Sequence, residues 1–158
     1  RTAQLCKAFG CKVIANAPHP KKEAEGIVEY VDLETLLKES DIISLHCPLN
    51  DSSRGLINKE RIALMKPTAI VINAARGPVV DSQALADALN SGYLGGAGID
   101  VFEVESPLDV NHPLLHSKNT IVTPHVAFAS AESMEARCHI VFDNITKWLA
   151  GEQVNVIL

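Results

Sequence analysis

The sequence predicts an α/β fold built on a doubly wound parallel sheet, and three observations predict it. Short apolar runs alternate with amphipathic helical stretches along the chain, the pattern left by strand–crossover–strand units. Residues 69–75 (AIVINAA) are apolar almost without interruption, as a strand covered on both faces should be. Aromatic residues make up only 4% of the chain while Ala, Val, Ile and Leu abound, which suits a sheet under helices better than an aromatic-rich sandwich.

Length and charge narrow the classes further. A chain of 158 residues is sized for one domain with one substantial core. Its net charge of −5 gives no basic footprint, so nucleic acid is not an expected partner. No apolar run approaches about 18 residues and no signal-peptide pattern opens the chain, so a soluble, cytoplasmic protein without membrane contact is expected. Cys6, Cys11, Cys47 and Cys138 show no CxxC spacing and no nearby histidine partners. They read as small buried thiols in a reducing compartment, and no metal site is expected.

Taken in order, residues 1–9 resemble the middle of an amphipathic helix that stops at Gly10. Because the chain starts at Arg1 without Met, a longer protein is expected. Residues 11–15 (CKVIA) form a strand. Asp32 caps a helix with Leu33, Leu36 and Leu37 on one face. Residues 41–47 (DIISLHC) form a strand stopped by Pro48. Asn58 caps a helix through Met65, ended by Pro67. The strand 69–75 follows, then a helix over 82–90 capped by Asp81, with Gly92 beyond its end. Residues 97–101 (AGIDV) and 120–123 (TIVT) are two more strands. A last helix over 131–150 carries Met134, Cys138, Val141, Ile145 and Trp148 as a stripe expected to face the core. Residues 1–150 are therefore expected to form one domain, with 151–158 as a C-terminal tail. The run 92–98 (GYLGGAG) follows a helix and leads into a strand, the reverse of the order that phosphate binding needs. It reads as a helix stop and a tight turn. Residues 102–119 show no clear helix, and loops that long in compact domains are usually functional.

In open parallel sheets ligands bind beyond the carboxyl ends of the strands. Pro48 follows the strand 41–47, and Arg76 follows 69–75. Asp100 stands near the end of 97–101 with Glu103 and Glu105 beyond it, and His125 follows 120–123. Each has an ordinary explanation: a surface arginine, solvated loop carboxylates, a structural histidine beside proline. Asp100, in an apolar strand, needs a partner to offset its burial. Their joint convergence on one rim, by topology alone, is the functional signal.

Residues 69–81 (AIVINAARGPVVD) resemble the signature of the D-isomer-specific 2-hydroxyacid dehydrogenases. Residues 41–49 (DIISLHCPL), 98–105 (GIDVFEVE) and 123–127 (TPHVA) match that family's other landmarks in order. Within the family, the PHVAFAS run and residues 148–156 (WLAGEQVNV) are most similar to glycerate dehydrogenases, or hydroxypyruvate reductases, and next to phosphoglycerate dehydrogenases. The resemblance implies a Rossmann-like NAD(P)-binding domain, a homodimer, and reduction of a small 2-oxo acid to a D-2-hydroxy acid. It implies a catalytic set of Arg76, Glu105 and His125. Arginine would hold the substrate carboxylate in a forked contact. Histidine would give its proton to the carbonyl oxygen, and a glutamate on the other ring nitrogen would favour the charged ring. Cys47, Pro48, Ala74, Ala75, Arg76, Asp100, His125 and Ala127 would line the cofactor groove, with Asp100 on the nicotinamide carboxamide.

Three departures matter: the family's glycine-rich fingerprint GxGxxG and the first strand before it are absent, with Arg1 falling just after the last glycine, and the positions of Ser106 and Ala17 differ. Glu103 rivals Glu105, although Glu105 has the family's spacing from Asp100. Ser106 stands where the family usually has proline. NAD-specific relatives carry an acidic residue at the position of Ala17, so NADP is not repelled here, and His19, Lys21 and Lys22 could attract its 2′-phosphate or remain solvated loop charges. The family also includes transcriptional co-repressors, which keep a dinucleotide-sensing scaffold in play as an alternative to an enzyme.

Overall fold

A computed structural model describes residues 1–105 and 107–156. They fall into two compact units, residues 1–124 and 125–158. The first opens with α1 (Thr2–Ala8), β1 (Ile14–Ala15) and β2 (Glu29–Tyr30). It continues through α2 (Leu33–Glu39), β3 (Ile42–Leu45), α3 (Lys59–Ile62), β4 (Ile70–Asn73), α4 (Ser82–Asn90), β5 (Gly96–Ile99) and β6 (Thr120–Val122). Short 3-10 turns lie at Lys22–Ala24, Gly77–Val79 and Pro113–Leu115. The second unit holds α5 (Ala131–Leu149). No helix among the described residues is long and apolar enough to cross a membrane.

Every strand pairing among the described residues is parallel, and the strands form two sheets: β1–β2, and β3–β4–β5–β6. Among the described residues, β1 and β3 each keep one edge without a strand partner. The helix ends form as side-chain chemistry dictates. Asp32, Asn58 and Asp81 each accept a hydrogen bond from the backbone N–H three residues on, at 2.9–3.0 Å, satisfying a donor that the first turn leaves open. Gly10, at φ 85°, ends α1 in a Schellman motif: its N–H reaches the Lys7 carbonyl while Cys11 N–H reaches Cys6.

One face of the four-stranded sheet carries the core. Ile43 and Leu45 of β3, Val71 of β4 and Ile99 of β5 pack with Leu37 of α2, Ile62 of α3, Leu85 and Leu89 of α4, and Leu114. The opposite face is open. Ile42 is 59% exposed, and Ile70, Ile72 and Ile121 are also exposed. The expectation that β4 is buried on both faces therefore fails, because α2, α3 and α4 all pack on the Val71 side. The stripe on α5 is likewise uncovered: Met134, Cys138, Val141, Ile145 and Trp148 are all exposed. A unit holding one helix and short flanking stretches has nothing of its own to bury it. None of the four cysteines is buried; all are free, with Cys6 and Cys47 half-buried and Cys11 and Cys138 exposed. α3 ends at Ile62, and the chain turns through Leu64 and Met65 by shorter hydrogen bonds. The glycine run is a stop and a turn: Gly92 has φ 76°, and a Cβ on Gly95 would lie 2.3 Å from the Thr68 carbonyl oxygen.

Candidate active site

The chemistry-bearing residues of the first unit stand where strands end. β3 runs out into Cys47 and Pro48, β4 into Ala74, Ala75 and Arg76, and β5 into Asp100. The Cys47–Pro48 segment is held by Ser53, which is buried and donates its hydroxyl to the Pro48 carbonyl at 2.6 Å. Asn50 Oδ1 accepts from the backbone N–H groups of Ser52 and Ser53.

Arg76 is presented by a built turn. Asn73, 1% exposed at the end of β4, accepts from Ala75 N–H at 3.1 Å and donates to the Arg76 carbonyl at 3.1 Å. A buried amide thereby does the work that sheet partners would otherwise do. The guanidinium is exposed, and its Nη1 donates to the Ala75 carbonyl at 2.6 Å. Gly77 follows, and a Cβ there would lie 2.0 Å from the Phe102 carbonyl carbon and 2.5 Å from Glu103 N. Only glycine lets the two backbones meet. On its other side, Gly55 N–H donates to the Pro78 carbonyl, and Ile57 pairs with the chain at Val79–Asp81.

Asp100 is 5% exposed and accepts the Thr123 hydroxyl at 2.5 Å, one of the partners its burial demands. The two rival glutamates part company. Glu103 turns toward α4: it accepts from the Ser82 hydroxyl at 2.5 Å through Oε1 and meets His112 Nε2 at 3.0 Å through Oε2. Burial works to raise the Glu103 carboxyl. The hydrogen bonds from Ser82, its own backbone N–H and His112, together with the charge of His112, outweigh it and hold the group below the usual carboxylate range. Glu105 is exposed two residues further on. Ser106 lies outside the described residues.

In the second unit His125 is half-buried and adopts φ 55°, a left-handed conformation that a non-glycine residue takes only where its surroundings require it. Its ring packs edge-on against Phe128 at 5.8 Å, and Arg137 lies over the Phe128 ring at 5.3 Å. Val126 and Ala127 follow, both exposed.

At the end of β1, Asn16 donates to the Val31 carbonyl and Ala17 is half-buried. His19, Lys21 and Lys22 are exposed. The structure thus gathers Cys47, Pro48, Ala74, Ala75, Arg76 and Asp100 at the carboxyl ends of one sheet. The supports Asn73, Ser53, Ser82 and His112 were not singled out from sequence. Asn73 carried the one available signal, an amide closing an otherwise apolar strand.

Residues 1–127 match the family described as D-isomer specific 2-hydroxyacid dehydrogenase, NAD binding domain. The chain belongs to this family. It is 43% identical over 158 residues to a hydroxypyruvate reductase of Blautia hydrogenotrophica, covering 99% of this chain and 48% of that protein. Its fold matches that of a D-lactate dehydrogenase with NAD+ from Lactobacillus jensenii at a TM-score of 0.89 and 36% identity, covering 99% of this chain and 51% of that one. It also matches an acyclic imino acid reductase in complex with NADPH and D-Arg at 0.88 and 35%, covering 99% and 49%. This family member therefore spans about half the length of the relatives it matches. The parallel α/β architecture of a nicotinamide-dinucleotide domain accounts for the rim: small residues at the ends of β3 and β4, and one buried carboxylate after β5.

Proposed function

We propose that this chain is the nucleotide-binding part of an NAD(P)H-dependent reductase of small 2-oxo acids, hydroxypyruvate or glyoxylate first among them. Residues 1–150 form that domain and 151–158 lead out of it. The observation that carries the reading is the placement of Arg76. Asn73 and Gly77 fix it at the end of β4, against the segment that runs on to Glu105. Cys47, Pro48, Ala74 and Ala75 offer small, close-approach surfaces for a flat ring, and Asp100 an acceptor for its carboxamide; the family resemblance assigns Ala127 to the cofactor as well. When bound, the reduced nicotinamide supplies the hydride that the carbonyl carbon takes up. Arg76 holds the substrate's carboxylate by a forked contact. His125 gives its proton to the carbonyl oxygen, and the negative charge of Glu105 favours the protonated ring. The 2-oxo acid leaves as the D-2-hydroxy acid, one hydride and one proton richer. The enzyme is expected to work as a homodimer in the cytoplasm.

Both dinucleotides are substrates in this reading, because Ala17 offers no carboxylate to repel a 2′-phosphate and His19, Lys21 and Lys22 stand close in sequence. The test is reduced-nicotinamide absorbance against pH in the full-length protein. His125→Ala should lose on the order of 10²–10⁴ in turnover. Arg76→Ala should raise KM for the 2-oxo acid and lower kcat. Glu105→Gln should move the upper pH limit of reduction downward while cofactor affinity holds. Near-normal turnover in His125→Ala would sink the mechanism. No turnover of any 2-oxo acid by the wild type, with dinucleotide still bound, would favour a sensing scaffold instead.

A further inference from the structure

Glu103 is the hub of a three-residue cluster that the proposed chemistry does not use. It receives the Ser82 hydroxyl from the first turn of α4 and the His112 ring from the far end of its own loop. The His112 ring is only 13% exposed and stands edge-on to Phe102 at 5.1 Å. Its Nδ1 lies 3.3 Å from the Leu114 backbone nitrogen while its Nε2 meets Glu103, so the ring is held at both nitrogens. The His112 backbone is set in turn by the Asp109 carbonyl. Behind Glu103, the peptide joining it to Phe102 comes so close to Gly77, the residue after Arg76, that a Cβ there would overlap it. Glu105 lies between the two ends of this closed span.

We propose that Glu103 and His112, with Ser82, form a clasp that positions Glu105 relative to Arg76. The clasp fixes one end of the loop to α4, and α4 begins just after the turn that presents Arg76. The two groups are thereby set in one register. A displaced group of about 1 Å can lower turnover by up to about 100-fold. This inference rests on the reading of Glu105 given above, and the experiment separates the two.

Amide hydrogen exchange and steady-state kinetics are measured on the full-length protein carrying His112→Ala, Glu103→Ala or the milder Ser82→Ala, each alone and combined with Glu105→Gln. Exchange at residues 103–105 should quicken in all three while the core of α4 at Leu85 and Leu89 stays protected. Turnover should fall, and the upper pH limit of reduction should move down as in Glu105→Gln, with KM for the reduced cofactor unchanged. In the Glu105→Gln background the same substitutions should cost less than about 2-fold, because a clasp cannot position a charge that is gone. Glu103→Gln keeps an acceptor for Ser82 and should recover part of the loss. Unchanged exchange in all variants overturns the clasp. A loss of equal size with and without the Glu105 charge overturns its positioning role. A Glu105→Gln enzyme indistinguishable from wild type overturns the reading of Glu105 and the purpose of the clasp together, while exchange still decides whether the loop is tied.

Discussion

The segments that follow β4 and β1 leave their sheets at corresponding carboxyl ends and are built in opposite ways. After β4, residues 73–82 are held at almost every step: Asn73 bonds both sides of the turn, Gly77 touches the Phe102 peptide, and Ile57 pairs alongside. After β1, residues 16–22 are tied to the neighbouring strand's end only through side chains, Asn16 to the Val31 carbonyl and Lys21 N–H to the Tyr30 hydroxyl, and otherwise by the 3-10 turn's own bonds from Ala24 and Glu25 N–H to the Lys21 and Lys22 carbonyls. A group that must meet a reacting atom needs a fixed backbone, since misplacement is penalised steeply. A segment that chooses between two dinucleotides needs only the right charge near a phosphate. The tight segment should therefore answer to geometry and the loose one to charge.

The largest effect should come from Gly77→Ala. Its Cβ would overlap backbone that no side-chain rotation can clear, so a loss of about 3 kcal/mol is expected in urea unfolding. A change near zero would show that the two backbones can part freely. Next in size is Glu103, whose carboxyl is held below its unfolded value. A depressed carboxylate stabilises the fold above its unfolded pKa, and that contribution is lost as pH falls through the folded pKa. Denaturation midpoints followed through the acid range should thus fall less steeply in Glu103→Gln than in wild type. Asp81→Ala removes the cap that opens α4 and should cost about 1 kcal/mol. Ala17→Asp should change stability by less than about 0.5 kcal/mol, yet shift the NADPH-to-NADH ratio of kcat/KM toward NADH. A large stability loss there, or no shift in that ratio, would break the contrast between the two segments.

Local chemistry was the legible part of this sequence. The caps at Asp32, Asn58 and Asp81 and the stop at Gly10 follow from residues a few positions apart, and the structure forms each. Strands were visible as apolar runs but came out shorter, since their length depends on pairing partners elsewhere in the chain. β2 was not anticipated: Glu29 and Tyr30 are a strand only because β1 lies beside them. Apolar character also could not say which faces would be covered, so β4 and α5 were both expected to be more buried than they are. At the site, the positions of Arg76 and Asp100 follow from topology. The Glu103 cluster does not, because its partners lie 21 and 9 residues away and no periodicity records them. The preference for Glu105 over Glu103 came from the family's spacing after Asp100, and the hydrogen bonds that hold Glu103 could not be read from it.

Trp148 is the only tryptophan in the chain, and it is 66% exposed on α5 in the second unit. Both tyrosines, Tyr30 and Tyr93, belong to the first unit, and the Tyr93 hydroxyl donates to the Met65 carbonyl at 2.6 Å. The two units therefore carry separate intrinsic fluorophores. Indole emission selected at the red edge of excitation reports on α5 alone and should resemble indole in water. Phenol absorbance in the near ultraviolet follows the β3–β6 core through Tyr93. A single heating ramp read at both wavelengths would show whether the units melt together, without a label or an added probe.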